Sequence, residues 1–193
     1  MITLKQIEKA VGLYNIPKSI HINHGVVLDH RIIQTLTKTD PKPDDKVYDF
    51  DVFLPTYGIN LQRPYVWKPV QQKAFILSIL QDRKMEPVVV VQHEHKINYV
   101  IDGKQRLLTI KRFAENKFPI TIDGEDYYYK DFDEDTKFRF RSTVSYLPAD
   151  IYYSYDDTPV TEDMMITLFN FYNFSGTPQT EAHKQKLLGL MKK

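Results

Sequence analysis

Val88-Val89-Val90-Val91 follows Pro87 directly. Four β-branched residues in a row suit extended backbone and leave no polar side for solvent, so the run predicts a strand buried on both faces. Proline cannot donate within a central strand, and Pro87 therefore marks its entry. The chain can bury such a strand: its 193 residues are 42% hydrophobic and 26% charged, which suits one domain with a modest appendage. The 13 tyrosines against one tryptophan suit half-buried positions with a polar tip. The absence of cysteine excludes disulfides, thiolate zinc sites and cysteine nucleophiles together. Lys+Arg 26 against Asp+Glu 25 leaves +1, so no global field attracts nucleic acid or anionic lipid, although a local basic groove remains open. No apolar run approaches bilayer length, and Met1-Ile2-Thr3-Leu4-Lys5 lacks the layout of a signal peptide. A soluble, cytoplasmic protein without membrane contact is expected.

The punctuation divides the chain at Asp40-Pro41-Lys42-Pro43-Asp44-Asp45-Lys46, a proline-broken linker. Residues 1–46 read as an N-terminal extension: a short helix over 3–12 with Leu4, Ile7 and Val11 on one face, a strand at Gly25–Leu28, and a further element at Ile32 and Ile33. Residues 47–193 read as the main domain. Tyr48, Phe50, Val52 and Leu54 alternate as in one half-buried strand. Pro69 opens a helix to about Gln81 with Phe75, Ile76, Ile79 and Leu80 inward. A strand at Tyr99–Ile101 leads into a helix over Lys104–Asn116. Beyond it the pattern predicts a hairpin at Asp123-Gly124, strands over Phe138–Tyr155, a helix capped by Thr161, and a last helix from Thr180. The expected class is α+β, a mixed sheet with flanking helices.

Chemistry concentrates in Val100-Ile101-Asp102-Gly103-Lys104-Gln105-Arg106-Leu107. A buried strand ends at an acid, glycine permits a tight turn, and a helix begins at once, with its first N–H groups unpartnered and partially positive. Lys104 and Arg106 are misplaced on dipole grounds unless an anion lies between them and the helix end. The alternative is a plain Asp-Gly turn with Asp102 as cap and the basic side chains in solvent. Gln62-Arg63-Pro64-Tyr65-Val66-Trp67 adds an arginine beside two aromatics. That is an anion clamp or base stack on one reading, and a pair of core anchors on the other.

Taken in order, these segments resemble the N-terminal domain family of GmrSD-type, modification-dependent restriction enzymes, within the ParB/sulfiredoxin-like superfamily. Gln62-Arg63 with Tyr65 and Trp67 is similar to the opening Q-R-x-Y-x-W. Ile101–Thr109 is similar to I-D-G-Q-Q-R-L-T-T, and Phe169, Asn173, Gly176 and Glu181 to a later F-x(3)-N-x(2)-G-x(4)-E. The resemblance implies a nucleotide-binding, NTP-hydrolysing domain with magnesium. Asp102 would orient a metal-bound or attacking water, or hold the turn. Gly103 would let backbone approach the phosphates, Gln105 and Arg106 would contact them, and Gln62, Arg63, Lys104 and Asn173 would complete the set.

Lys104 departs from the family glutamine, and the His–Asn–His nuclease half that commonly follows is not in these residues. Two other functions therefore stand beside hydrolysis. One is a phage or mobile-element module that binds a protein partner, including a partner that supplies nuclease activity, or that self-associates. The other is direct DNA binding or nicking. His93-Glu94-His95 offers two metal ligands but lacks a third. Asp131, Asp133 and Asp135 open like a calcium loop, yet Thr136 and Ser142 stand where glycine and glutamate belong. His21, His24 and His30 read as packing or capping groups, and Tyr127-Tyr128-Tyr129 as sheet aromatics.

Overall fold

The valine run divides the core. In the computed structural model, which describes residues 20–39, 47–93, 97–154 and 160–174, Val88 and Val90 point into one hydrophobic cluster and Val89 and Val91 into another. The strand they form, β5 (Val88–His93), is the centre of a five-stranded sheet. Its neighbours are β6 (Ile97–Asp102), antiparallel to it, and β9 (Pro148–Ser154), parallel. β2 (Val47–Asp49) pairs parallel with β6 at one edge, and β1 (Ile20–Val27) antiparallel with β9 at the other. The sheet is mixed and the class is α+β, as expected.

Four helices cover the first face: α1 (Ile32–Thr37), α2 (Pro69–Leu80), α3 (Lys104–Ala114) and α4 (Glu134–Ser145). Each lays its apolar stripe on the sheet: Ile32 and Leu36, Ile76 and Ile79, Leu107 with Ile110 and Phe113, and Phe140 with Val144. Phe113 is the hub, with ring centroids 5.5–5.9 Å from Phe118, Tyr129, Phe132 and Phe140. The opposite face is covered by α5 (Glu162–Phe174) and the two-residue strands β3 (Phe53–Leu54) and β4 (Ile59–Asn60). Thr161 caps α5 by accepting from Met164 N at 3.3 Å. The β3–β4 turn is tied to the same helix end by Thr56 N donating to Glu162 Oε1 at 3.1 Å. Among the described residues no helix is long and apolar enough to cross a membrane.

Several expectations change. The strand predicted over 47–54 is two strands in different sheets. Asp49 Oδ1 accepts from Asp51 N at 2.9 Å and Val52 N at 2.8 Å, and Val52 takes φ 50, which breaks the ladder while preserving the burial of Tyr48, Val52 and Leu54. The strands predicted over Phe138–Tyr155 begin as helix α4. Asp133 caps it by accepting from Thr136 N at 2.8 Å, and Phe140 and Val144 bury at helical spacing. Phe138 and Phe140 mimic a period of two, but Phe138 is exposed. Residues 20–37, read from the sequence as part of an extension, supply edge strand β1 and the core-packed helix α1.

The Asp123-Gly124 hairpin forms between β7 (Ile120–Ile122) and β8 (Glu125–Tyr127), with φ positive at both turn residues as a two-residue primed turn requires. His21 and His30 lie against Tyr153 and Tyr146, and His24 pairs with Asp150. The helix predicted over 3–12, the linker 40–46, Glu94 and His95 of the two-histidine pair, Gly176, Glu181 and the last helix lie outside what the structure describes.

Phe113→Ala is expected to cost about 3–5 kcal/mol by opening a cavity among four rings, measured by urea unfolding. The hydrogen bonds from Thr136 hold the Asp133 carboxyl below its usual range. Its capping contribution is therefore present above the unfolded carboxylate pKa of about 3.9 and is lost as pH falls through the lower folded value. Asp133→Ala should lower the melting temperature at neutral pH, and the gap from wild type should close on acidification.

Candidate functional site

β6 leaves the core at Asp102, and Gly103 turns the chain into α3. Gly103 has φ 100, and a Cβ there would lie 2.8 Å from Val88 Cβ and closer still to one of its methyls. Only glycine serves both demands, so the turn is pressed against the central strand. Gly103 is itself the N-cap and has no side chain to cap with, so the alternative reading with Asp102 as cap does not hold. The first helical bond runs from Leu107 N to Gly103 O at 3.0 Å. The N–H groups of Lys104, Gln105 and Arg106 are left outside the helix ladder, at the positive end of the dipole.

The side chains around this turn mostly stitch it in place. Gln62 arrives because the β3–β4 ladder extends past β4, through Leu61 N to Val52 O at 3.0 Å and Gln62 N to Asp51 O at 3.1 Å. Its Nε2 donates to Val100 O and Ile101 O, both at 2.7 Å. Asn173, from α5, donates to the same Ile101 carbonyl at 3.2 Å. Gln105 Oε1 accepts from Val66 N at 2.9 Å and Trp67 N at 3.3 Å, while Nε2 donates to Pro64 O at 3.2 Å. The Arg63–Trp67 segment is thereby clasped onto the first turn of α3. Tyr65 completes the clasp, its hydroxyl 2.8 Å from Thr109 Oγ1 and the Arg112 guanidinium 5.2 Å from its ring centroid. Burial is the main cause of the raised Tyr65 hydroxyl pKa.

The charged residues divide sharply. Lys104 is only 5% exposed and donates to Asp51 Oδ1 at 2.8 Å. Arg106 donates to Asp102 Oδ2 at 2.9 Å, to Pro87 O at 2.9 Å, and to Glu86 O. Among the described residues Asp102 is engaged through Oδ2 and not through Oδ1. Among the described residues the Arg63 guanidinium meets no hydrogen-bond or ion-pair partner, and it lines the same cavity.

That cavity has a volume of about 520 Å³. The structure brings every sequence-predicted site residue to its wall: Gln62, Arg63, Gly103, Lys104, Gln105, Asn173, and the pair Asp102 and Arg106. Trp67 and Phe75, edge to face at 5.3 Å between centroids, form an aromatic side. Tyr172 closes another side, its hydroxyl 2.6 Å from that of Tyr152 and its pKa raised chiefly by burial. No group of three His, Asp or Glu suited to a metal occurs among the described residues.

The sequence reading missed Asp51, Lys84 and Glu86. Asp51 lies within an apparent strand alternation and carries no motif. Lys84 and Glu86 sit in a short connection whose only sequence signal is its position directly before Pro87. The buried Lys104 ammonium depends on Asp51. Asp51→Ala should therefore destabilise the fold by about 1–3 kcal/mol, while Lys104→Met, which removes the charge and keeps the stem, should be nearly neutral by urea unfolding.

Comparison with known proteins adds one match. No curated protein and no solved structure matches the chain. Residues 52–188 match the family model of the GmrSD restriction endonuclease, N-terminal domain. The match begins at Val52, just after β2, and contains the clasp, the Gly103 turn and Asn173. The chain therefore belongs to the family of GmrSD restriction endonuclease N-terminal domains, a restriction and phage-defence family.

Proposed function

We propose that the cavity at the start of α3 binds the polyphosphate of a nucleotide within a ParB/sulfiredoxin-like domain. One observation carries this reading: an uncapped helix N-terminus and the unpartnered guanidinium of Arg63 share one concave site. Backbone N–H groups at a helix start donate to phosphate oxygens, and an arginine fork adds a bidentate cation. Gly103 contributes by having no side chain between ligand and backbone. Trp67 and Phe75 supply apolar surface for a base.

Magnesium fits this site as a passenger on the phosphates, since it needs only one or two protein carboxylates in that role. Asp102 through Oδ1, with Glu86 nearby on the cavity wall, would hold it, and the ion would neutralise charge on the phosphoryl oxygens. The reaction class that follows is in-line attack of water on a nucleoside triphosphate, with Asp102 orienting the water and Arg63 stabilising the developing charge.

A second reading is nucleotide binding without turnover, as a sensor or docking module for a partner protein. The pairing of Lys104 with Asp51 and of Arg106 with Asp102 favours it, because the cations of the signature are already neutralised within the protein.

Calorimetric titration with the four nucleoside triphosphates and magnesium, wild type beside Arg63→Ala, tests the proposal. Binding by wild type that weakens about tenfold or more in the variant is expected, since a charge-assisted bidentate contact is removed. Phosphate release measured on the same samples decides between hydrolysis and binding alone. Absence of binding by wild type would overturn the nucleotide reading.

A further inference from the structure

Lys84 lies in the connection between α2 and β5, outside both motifs that build the cavity, and both ends of that connection are pinned. At the α2 end Asp82 adopts φ 54, with Asp82 N bonded to Ile79 O at 2.9 Å and Arg83 N to Ser78 O at 3.0 Å. This is the left-handed closure that ends many helices, here with aspartate in place of the usual glycine. At the β5 end the Arg106 guanidinium holds the carbonyls of Glu86 and Pro87. Only Lys84 and Met85 lie between the two anchors. The side chain of Lys84 therefore departs from a fixed point at the cavity wall, although its stem is exposed to solvent.

Four cationic side chains line the cavity among the described residues: Arg63, Lys84, Lys104 and Arg106. Lys104 is bound to Asp51 and Arg106 to Asp102. The charge left unspent belongs to Arg63 and Lys84, neither of which has a partner among the described residues. They reach the cavity from two different segments, one clasped by Gln105 and the other by Arg106. On the acidic side, Asp102 is engaged by Arg106, and Glu86 is exposed and unpaired.

We infer that Lys84 is a second anion-binding residue of this site, taking the terminal phosphates of a nucleoside triphosphate opposite the contacts made by Arg63. The inference rests on the nucleotide reading above and deepens it. A lysine suits the outer phosphates because it acts as a mobile point charge that needs no fixed fork geometry. Arg106, the arginine of the signature, holds the carbonyls two and three residues beyond Lys84. Recognition of the phosphate tail thus falls to a residue outside the motif, and the motif arginine positions it.

The test compares wild type, Lys84→Met and Lys84→Arg in calorimetric titrations with adenosine triphosphate, adenosine monophosphate and inorganic tripolyphosphate, with magnesium, beside thermal melts. Lys84→Met should lose about tenfold in affinity for the two triphosphates, the size of one charged contact, and little for the monophosphate. Lys84→Arg should recover most of the loss, and all three proteins should melt together. Equal triphosphate binding by Lys84→Met and wild type overturns the inference and leaves the nucleotide reading standing. An equal loss for the monophosphate overturns the assignment to the outer phosphates. Binding of tripolyphosphate but not of nucleotide, lost in Lys84→Met, supports the anion contact and overturns the nucleotide reading. Binding of neither by wild type overturns both.

Discussion

The contact between Gly103 and Val88 is the constraint on which the rest of the structure depends. It joins the strand at the centre of both hydrophobic clusters to the turn at the centre of the cavity. The turn can approach this closely only because residue 103 lacks a Cβ and accepts positive φ. Val88 can offer so flat a surface because β5 is covered on both faces and has no solvent side to satisfy. The free N–H groups of α3 are thereby anchored against the fully buried valine run of β5.

Around that contact the polar side chains work mainly as backbone ligands. Gln62 and Asn173, from distant parts of the sequence, converge on the Ile101 carbonyl near the end of β6. Gln105 replaces missing backbone pairing for Val66 and Trp67, and Arg106 does the same for two carbonyls ahead of β5. Backbone groups left unpaired out of water are costly, and Gln62 covers that cost for the buried carbonyls of Val100 and Ile101. The consequence for function is a division of labour. The signature residues of this chain build the walls, and the charge that remains available among the described residues comes from Arg63 and Lys84.

Much of this was legible in advance where local chemistry decides. The valine run, the Pro69 helix start, the Asp123-Gly124 turn and the strand–turn–helix at Asp102–Lys104 each follow from residue type and period, and each is present. The reading failed where two periods fit the same residues. Phe138 and Phe140 alternate as in a strand, but the Asp133 cap and the burial of Phe140 with Val144 select a helix. It failed again at Val52, where an aspartate side chain two and three residues away captures the backbone N–H groups and breaks an otherwise regular strand.

The sequence by itself determined which residues gather at the cavity, because the motif segments are short, ordered and anchored by glycine and proline. It also determined that a two-faced strand would lie at the core. Only the tertiary structure decided which of those residues keep a free charge. Whether Lys104 meets Asp51 or a ligand depends on a partner 53 positions away, and whether Arg106 faces a phosphate or the carbonyls before β5 depends on how the α2–β5 connection closes. Such choices are set by long-range packing, to which local periodicity and residue type carry no signal.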